Sequence, residues 1–468
     1  MKFSKMQGHF DTIAAISTPP GKGGVALIRI SGEGADRVAE RVFARASGAP
    51  YSTVEPRVQC YGYIVDGEER VDDVLLTRFP APASYTGEDM VEISCHGGIL
   101  VTRTVLELVL RCGARAATAG EFTRRAFIGG KLSLTEAEAI GSLLEAESRE
   151  QMRLSAEPAR RRLGERIGKI RADLVTLMSS MYARIDYPDE DLGDFDDGEL
   201  LTRLENILAE LDRLIATYRT GRAVTEGITT VLCGKPNVGK SSIYNLLVGE
   251  DAAIVTDIEG TTRDVLERSV PLGRVMLRLY DTAGIRDDEN TDTVERIGIE
   301  KSRKMMEKCE LLFAIFDSSR ELDGEDEALI RALDSLDCTK VALLNKSDMS
   351  SAFTPERLSG HFAEVLTVSA LDEAGTVESI CETVERLFTD GNITVGTDAI
   401  VASARQHAEL TSARDHVAAA RDSVKAGIPQ DAVSGDVERA IGAISRLDGR
   451  AVGEDIVADI FAKFCVGK

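Results

Sequence analysis

Apolar and polar positions alternate with period two near the start of the chain. Residues 11–125 hold four strand-like runs, TIAAIS, GVALIRIS, VDDVLLTRF and DMVEISCHG, and a helical stretch over 99–112. Glycine- and proline-rich turns separate them, as in PPGKGG (19–24) and PAPASYTG (80–87). This mixture predicts a compact α+β domain over 1–125. At Ser133 the period changes to helical spacing and persists to Asp186, with Pro158 marking a boundary or a kink. The acidic run 186–200 reads as a solvated turn with no ligand geometry for a metal, and LLTRLENILAELDRLIATYRT gives a further helix. Residues 226–389 alternate strand and helix, which predicts a parallel sheet. After Gly391 helical spacing returns, in AIVASARQHAELTSARDHVAAARDSV and then DAVSGDVERAIGAISRL. Helical stretches over 126–225 and 390–468 on either side of an α/β segment predict one discontinuous helical domain with the α/β domain inserted. The expected fold class is therefore multidomain, α/β and α+β.

A chain of 468 residues exceeds a single core, and its apolar and charged fractions are those of a soluble globular protein. No run approaches the ~18 apolar residues of a membrane span, and the first residues lack a secretory h-region, so a cytoplasmic protein with no membrane partner is expected. Eight cysteines are scattered without a CxxC pair, which argues against a zinc site and a disulfide framework. The net charge of −22 is concentrated: residues 1–125 are neutral, whereas 226–389 carry 18 basic against 32 acidic side chains. Any nucleic-acid contact must then use local basic patches or a partner.

The acidic segment carries the clearest chemistry. ITTVLCGKPNVGKSS (228–242) is a strand followed by a P-loop. Its glycines let backbone N–H groups of Asn237, Val238, Gly239 and Lys240 wrap phosphates, helped by a helix N-terminus over Ser241 and Ser242. Lys240 suits the β- and γ-phosphates, and the Ser241 hydroxyl suits Mg²⁺. Four further elements follow in order: TDIEGTTRD (Thr256, Asp257, Ile258, Glu259, Gly260, Thr261 and Thr262 within it), DTAG (Asp281, Thr282, Ala283, Gly284), NKSD (Asn345, Lys346, Ser347, Asp348) and VSAL (Ser369, Ala370, Leu371). Thr262 is placed to complete the Mg²⁺ shell, and Gly284 to offer its N–H to the γ-phosphate. Asp348 can accept from guanine N1–H and the exocyclic amine, donors that adenine lacks, and the Ala370 N–H would meet the guanine carbonyl. Together these specify GTP and the Ras-like class. Ile285 occupies the place of the water-orienting glutamine, so the attacking water needs another partner.

The run GKPNVGKSS resembles potassium-activated GTPases of the MnmE (TrmE), Era and Der type. That resemblance implies a K⁺ ion held by Asn237 and by Thr256, Ile258 and Thr261; an uncoordinated loop amide is the plainer reading of Asn237. The flanks PPGKGGVALIRISG, SYTGEDMVEISCHGG, GEFTRRAFIGGKLSLTEAEAI and the ending FCVGK are similar to the MnmE family over essentially the whole chain. The family usually ends FCIGK, and valine departs mildly from it.

Membership would imply a folate-binding N-terminal domain that dimerises (1–125), a helical domain in two parts (126–225, 390–468) and an inserted G domain (226–389). It would also imply a homodimer, and an FAD-dependent partner, MnmG (GidA), in a hetero-oligomer. The joint product would be tRNA carrying an aminomethyl or carboxymethylaminomethyl group on carbon 5 of the wobble uridine, with a 5-formyl- or methylene-tetrahydrofolate as one-carbon donor. Folate contacts map to Arg29, Glu92, Lys131 and Lys468, each with a surface charge or ion pair as the alternative. The catalytic residues map to Glu295, which would orient water, and Cys465, which would act as a nucleophile from a flexible-looking tail. For Glu295 a helix-surface carboxylate is the alternative, with Asp287 and Glu289 as outside candidates; for Cys465 it is a buried anchor. His96 reads as a structural histidine at a strand end. CVGK makes a poor prenylation box.

Overall fold

The computed structural model describes residues 11–186, 196–249, 267–280, 305–306, 308–391, 393–462 and 464–467. The chain forms two compact units, one of Met1–Leu144, Gly164–Leu201 and Ala419–Lys468, the other of Glu145–Leu163 and Thr202–Ala418.

The first unit is built on seven strands: β1 (Ile13–Ile16), β2 (Val25–Ser31), β3 (Phe43–Arg45), β4 (Cys60–Asp66), β5 (Glu69–Phe79), β6 (Met90–His96) and β7 (Arg115–Ala116). Their order is β3-β4-β5-β6-β2-β1-β7, antiparallel throughout except for the β1–β7 pair. The four strands expected from alternation are β1, β2, β5 and β6. Strands β3 and β7 have three and two residues, too short for any period to register. Helices Ala35–Val42 and Ile99–Arg111 bury Val38, Val42, Val105 and Leu108 against Ile28, Ile30, Leu76 and Ile93 of the sheet. A separate cluster of Leu134, Ala137, Val457, Phe461 and Phe464 anchors the last helix, Glu454–Ala462.

The second unit holds β8 (Ile228–Gly234), β9 (Glu267–Leu272), β10 (Val275–Tyr280), β11 (Leu311–Asp317), β12 (Thr339–Asn345) and β13 (Glu364–Thr367) in the order β13-β12-β11-β8-β10-β9. Every residue of β11 is buried, as expected for a central strand covered on both faces. Helices Lys240–Val248 and Glu373–Phe388 cover one face, and Gly324–Asp334 the other. The sheet is parallel apart from β9, which runs antiparallel to β10. A two-residue connection, Gly273 and Arg274, can join only antiparallel neighbours, and Gly273 takes φ 56° to make it.

The segments entering and leaving this sheet are tied together. Thr220 Oγ1 accepts the Asp390 N–H at 3.0 Å, and Thr217 Oγ1 accepts the Val401 N–H at 3.0 Å. A Cβ on Gly221 would stand 2.0 Å from the Val401 carbonyl oxygen, so only glycine permits this approach. The Thr217 bond to Val401, with that from Thr225 Oγ1 to the Ala402 carbonyl at 3.1 Å, ties down the end of the non-helical stretch 393–402, in which Ile393 and Ile400 pack beside Leu154 and Val224. Helix therefore begins at Ala404, later than the spacing suggested. Pro158 marks a boundary: one helix ends at Ser155 and the next begins at Glu157, putting proline in the first turn, where its missing N–H costs nothing. Among the described residues no helix is long and apolar enough to cross a membrane.

Candidate functional site

A cleft of about 460 Å³ opens at the carboxyl ends of β8 and β12, where open parallel sheets place ligands. Asn237, Gly239, Lys240, Ser241 and Ser242 line it from one side, and Asn345, Lys346, Asp348, Met349, Ser369, Ala370 and Leu371 from the other. Sequence stretches more than a hundred residues apart thus converge as expected. The P-loop owes its shape to local backbone. Gly234 and Gly239 take φ 149° and 98°, and Asn237 takes φ 64°, a left-handed value that asparagine tolerates better than most residues. A Cβ on Gly234 would lie 2.5 Å from the Ile315 carbonyl, and one on Gly239 would lie 2.1 Å from Asn345 Nδ2. Both glycines are therefore required by packing as well as by the open cradle they leave for phosphates. Lys240 Nζ donates to the carbonyls of Gly234 (3.0 Å) and Lys235 (2.6 Å), the position from which it can turn to a phosphate.

Asn345 is the residue that joins the cleft's two sides. Its side chain, 2% exposed in the folded chain, donates from Nδ2 to Val238 O at 2.9 Å and accepts at Oδ1 from the Ala370 N–H at 3.1 Å. Its carbonyl accepts from Ser318 Oγ at 2.8 Å. The Ala370 N–H, expected to meet a guanine carbonyl, is thus given to Asn345 here, and the Asn345 amide serves the protein. Asp348 Oδ1 accepts from Ser369 Oγ at 2.6 Å, which orients the carboxylate toward the cleft, and the Ser347 N–H donates to Val368 O at 3.1 Å. Lys346 takes φ 66° and places its ammonium 2.6 Å from Asp317 Oδ2. Burial works to raise the Asp317 carboxyl, but the Lys346 and Ser319 hydrogen bonds outweigh it and hold the group below its ordinary range. Asp317, Ser318 and Met349 were not expected; the only signal was that β11 ends where β8 and β12 do.

Replacing Asn345 by Ala should strand the Val238 carbonyl and the Ala370 N–H, each at about 1–3 kcal/mol. We expect a lower unfolding temperature and at least tenfold weaker binding of a fluorescent GTP analogue. Unchanged affinity would show that the two loops hold their places without the staple.

The P-loop cradle, with Lys240 and Ser241 at a helix N-terminus, fits a nucleotide with its Mg²⁺. No group of three or more metal-ligating His, Cys, Asp or Glu side chains occurs among the described residues. Thr256, Asp257, Ile258, Glu259, Gly260, Thr261, Thr262, Asp281, Thr282, Ala283, Gly284, Ile285, Asp287, Glu289, Glu295 and Lys468 lie outside the described residues.

A second constellation lies in the first unit. Arg29 on β2 stands directly opposite Glu92 on β6, and they pair at 2.8 Å, both largely shielded from solvent. The Arg29 guanidinium carbon sits 5.3 Å from the Tyr85 ring centroid and 5.7 Å from that of Phe122. Its Nη1 also donates to Gly467 O at 3.4 Å, and Ser17 Oγ donates to the same carbonyl at 3.0 Å. Val466 bridges to Ala119, and the Gly120 N–H donates to Cys465 O at 3.4 Å. The tail is therefore seated, and Phe464 and Gly467 anchor it; a Cβ on Gly467 would be 2.4 Å from Ile16 O. Cys465 itself is exposed beside them. Lys131 Nζ donates to Pro82 O at 3.0 Å, at the loop that carries Tyr85. His96 closes β6 with Nδ1 2.6 Å from Asp72 Oδ1, and that bond first, with the Asp72 charge, raises its pKa.

The sequence matches the family described as "MnmE helical domain" over residues 134–465 and "GTP-binding protein TrmE N-terminus" over residues 12–131. It is similar to proteins named tRNA modification GTPase MnmE in several bacteria. The one from Heliobacterium modesticaldum is 40% identical over 468 residues, covering 98% of this chain and 99% of that one. Those from Natranaerobius thermophilus and Thermotoga maritima are each 37% identical, covering 98% of this chain and 99% and 100% of theirs.

Proposed function

The chain belongs to the MnmE family of tRNA modification GTPases, and from that premise we propose that it is a potassium-activated GTP hydrolase working on the tRNA wobble uridine. The observation that carries the hydrolase half is the Asn345 staple, which brings a P-loop and a guanine-reading carboxylate to one cleft. In this reading Lys240 and the loop N–H groups of residues 237–241 hold the polyphosphate, Asp348 reads the base, and Glu295 orients the attacking water. Ser241 and Thr262 would hold Mg²⁺, which neutralises phosphate charge. Asn237, Thr256, Ile258 and Thr261 would hold K⁺, which supplies the positive charge an arginine finger supplies elsewhere.

The modification half is assigned to the first unit. Arg29, Glu92, Lys131 and Lys468 would bind a tetrahydrofolate derivative: a carboxylate suits the donor-rich edge of a pterin, and basic groups suit its anionic tail. The Tyr85 and Phe122 rings beside Arg29 support this, since they offer a flat pterin apolar faces to pack on, whereas the Arg29–Glu92 pairing is itself the structural ion pair of the alternative reading. An FAD-dependent MnmG-type partner would join a homodimer of this chain in the cytoplasm, and together they would add an aminomethyl or carboxymethylaminomethyl group to carbon 5 of the uridine. The domain division at residues 125, 225 and 389 belongs to the same reading. Binding of 5-formyl-tetrahydrofolate to the purified chain tests it directly; GTP turnover without folate binding would leave a GTPase whose covalent chemistry lies elsewhere.

Cys465 is assigned the covalent work in this reading; its exposure on a tail whose neighbours are pinned supports that. A thiol is a far better nucleophile than a hydroxyl at neutral pH. Cys465→Ser should keep GTP hydrolysis at the parent rate and lose uridine modification when assayed with the partner, folate and tRNA. Full modification by the serine variant would reduce the tail to a lid.

A further inference from the structure

Strands β11 and β12 are parallel neighbours with Leu311 opposite Thr339, and a cysteine stands just ahead of each, Cys309 and Cys338. The Thr339 N–H donates to Glu310 O at 3.0 Å, so Cys338 stands opposite Glu310, one residue from Cys309, and the bend at Glu310 breaks the strand's alternation so that Cys309 joins the same cluster as Cys338. With strands ~4.8 Å apart and a rise of ~3.3 Å per residue, such a diagonal pair has Cα atoms about 6 Å apart, inside the range a disulfide spans. Both side chains join one core cluster with Leu312, Ala314 and Ile330. The two thiols are near enough for each to shift the other's ionisation. Cys309 is only 5% exposed, and its Sγ lies 3.2 Å from the Met306 carbonyl, whereas Cys338 is half-buried and open to a small reagent.

We propose that Cys309 and Cys338 form a reversible redox site in the G domain, with hydrogen peroxide as its oxidant. The adjacent Cys309 thiol lowers the Cys338 thiol; burial and the Asp337 charge oppose this, and the Lys340 ammonium assists it. Cys309 is shifted upward by Cys338, by burial and by the neighbouring Cys233 thiol, and Cys338, the more exposed of the two, is the one a peroxide reaches. The Cys338 thiolate attacks a peroxide oxygen, the O–O bond breaks, and the leaving hydroxide takes up a proton as water. Cys309 sulfur then attacks the Cys338 sulfenic acid, the S–O bond breaks, an S–S bond forms, and a second water leaves with the Cys309 proton. Two electrons pass from the thiol pair to the peroxide, and a dithiol reverses the change. The pair sits at the amino ends of β11 and β12, while the nucleotide cleft is at carboxyl ends, so oxidation ties the sheet without touching the GTP residues.

The full reduced chain, exposed to equimolar hydrogen peroxide and digested without reductant after alkylation, should yield a linked Cys309–Cys338 peptide that dithiothreitol releases. The disulfide closes a loop of 28 intervening residues, so the oxidised chain should unfold several degrees higher, with GTP affinity within twofold. Cys309→Ala should leave a dimedone-reactive sulfenic acid at Cys338, and Cys338→Ser should leave Cys309 fully alkylatable after denaturation. Because both variants alter a core cluster, the parent peptide map decides alone: oxidation confined to other cysteines such as Cys465, with 309 and 338 both recovered as alkylated thiols, overturns the proposal.

Discussion

GTP hydrolysis in potassium chloride should exceed that in sodium chloride at equal ionic strength by about 10²–10³-fold. The expectation starts from what the site lacks: Ile285 stands where a glutamine would orient water. Positive charge at the transferring phosphoryl group is worth ~10³-fold or more when an arginine finger supplies it. In this chain the proposed substitute is an ion whose one described ligand is Asn237. Its φ of 64° belongs to the loop's own path around the phosphates, and its side chain lines the cleft. Sodium is smaller, and a site sized for potassium would hold it poorly. Asn237→Ala should remove most of the potassium stimulation while GTP still binds, because the backbone N–H groups and Lys240 remain. Equal steady-state rates in the two salts would sink the cation's role and return Asn237 to a loop amide.

Asp348→Asn should weaken GTP binding by on the order of 10²–10⁴-fold, from two hydrogen bonds to a charged acceptor at about 1.5–3 kcal/mol each. The loop itself should survive. Asp348 Oδ1 accepts from Ser369 Oγ at 2.6 Å, and an asparagine carbonyl oxygen can still accept there. What changes is the other atom, from an acceptor to an NH₂ donor, which now faces the guanine amine but would suit the carbonyl of xanthine. Competition of GTP and xanthosine triphosphate against a fluorescent analogue should therefore invert between parent and variant. Loss of binding for both, with a lowered unfolding temperature, would mean that Asp348 matters mainly through its bond to Ser369.

The ease with which the nucleotide site could be read follows from how it is made. A P-loop works through consecutive backbone N–H groups, so its glycines and its lysine must be adjacent in the chain, and the strand before it announces itself by its apolar run. The proposed base choice rests on one carboxylate, the fourth residue of a short motif. The helical stretches were legible for a related reason, since their burial repeats with a local period. Strands β3 and β7 were not, being too short to show one, and the non-helical 393–402 segment was hidden because Thr217 and Thr225 capture its backbone at Val401 and Ala402.

The sequence by itself therefore determined the class of ligand and the order of the domains, because both are written in residues that lie close together along the chain. Only the tertiary structure decided how those residues are spent. It gave the Asn345 amide to two loops, one of them 107 positions away, instead of to the base. It paired Arg29 with Glu92 by strand register, seated Gly467 against Ile16 and Ser17 across 450 positions, and brought Cys309 beside Cys338. Each of these contacts depends on which strands are neighbours and in what register. Neither is encoded in local periodicity; both are settled by the packing of whole faces against one another.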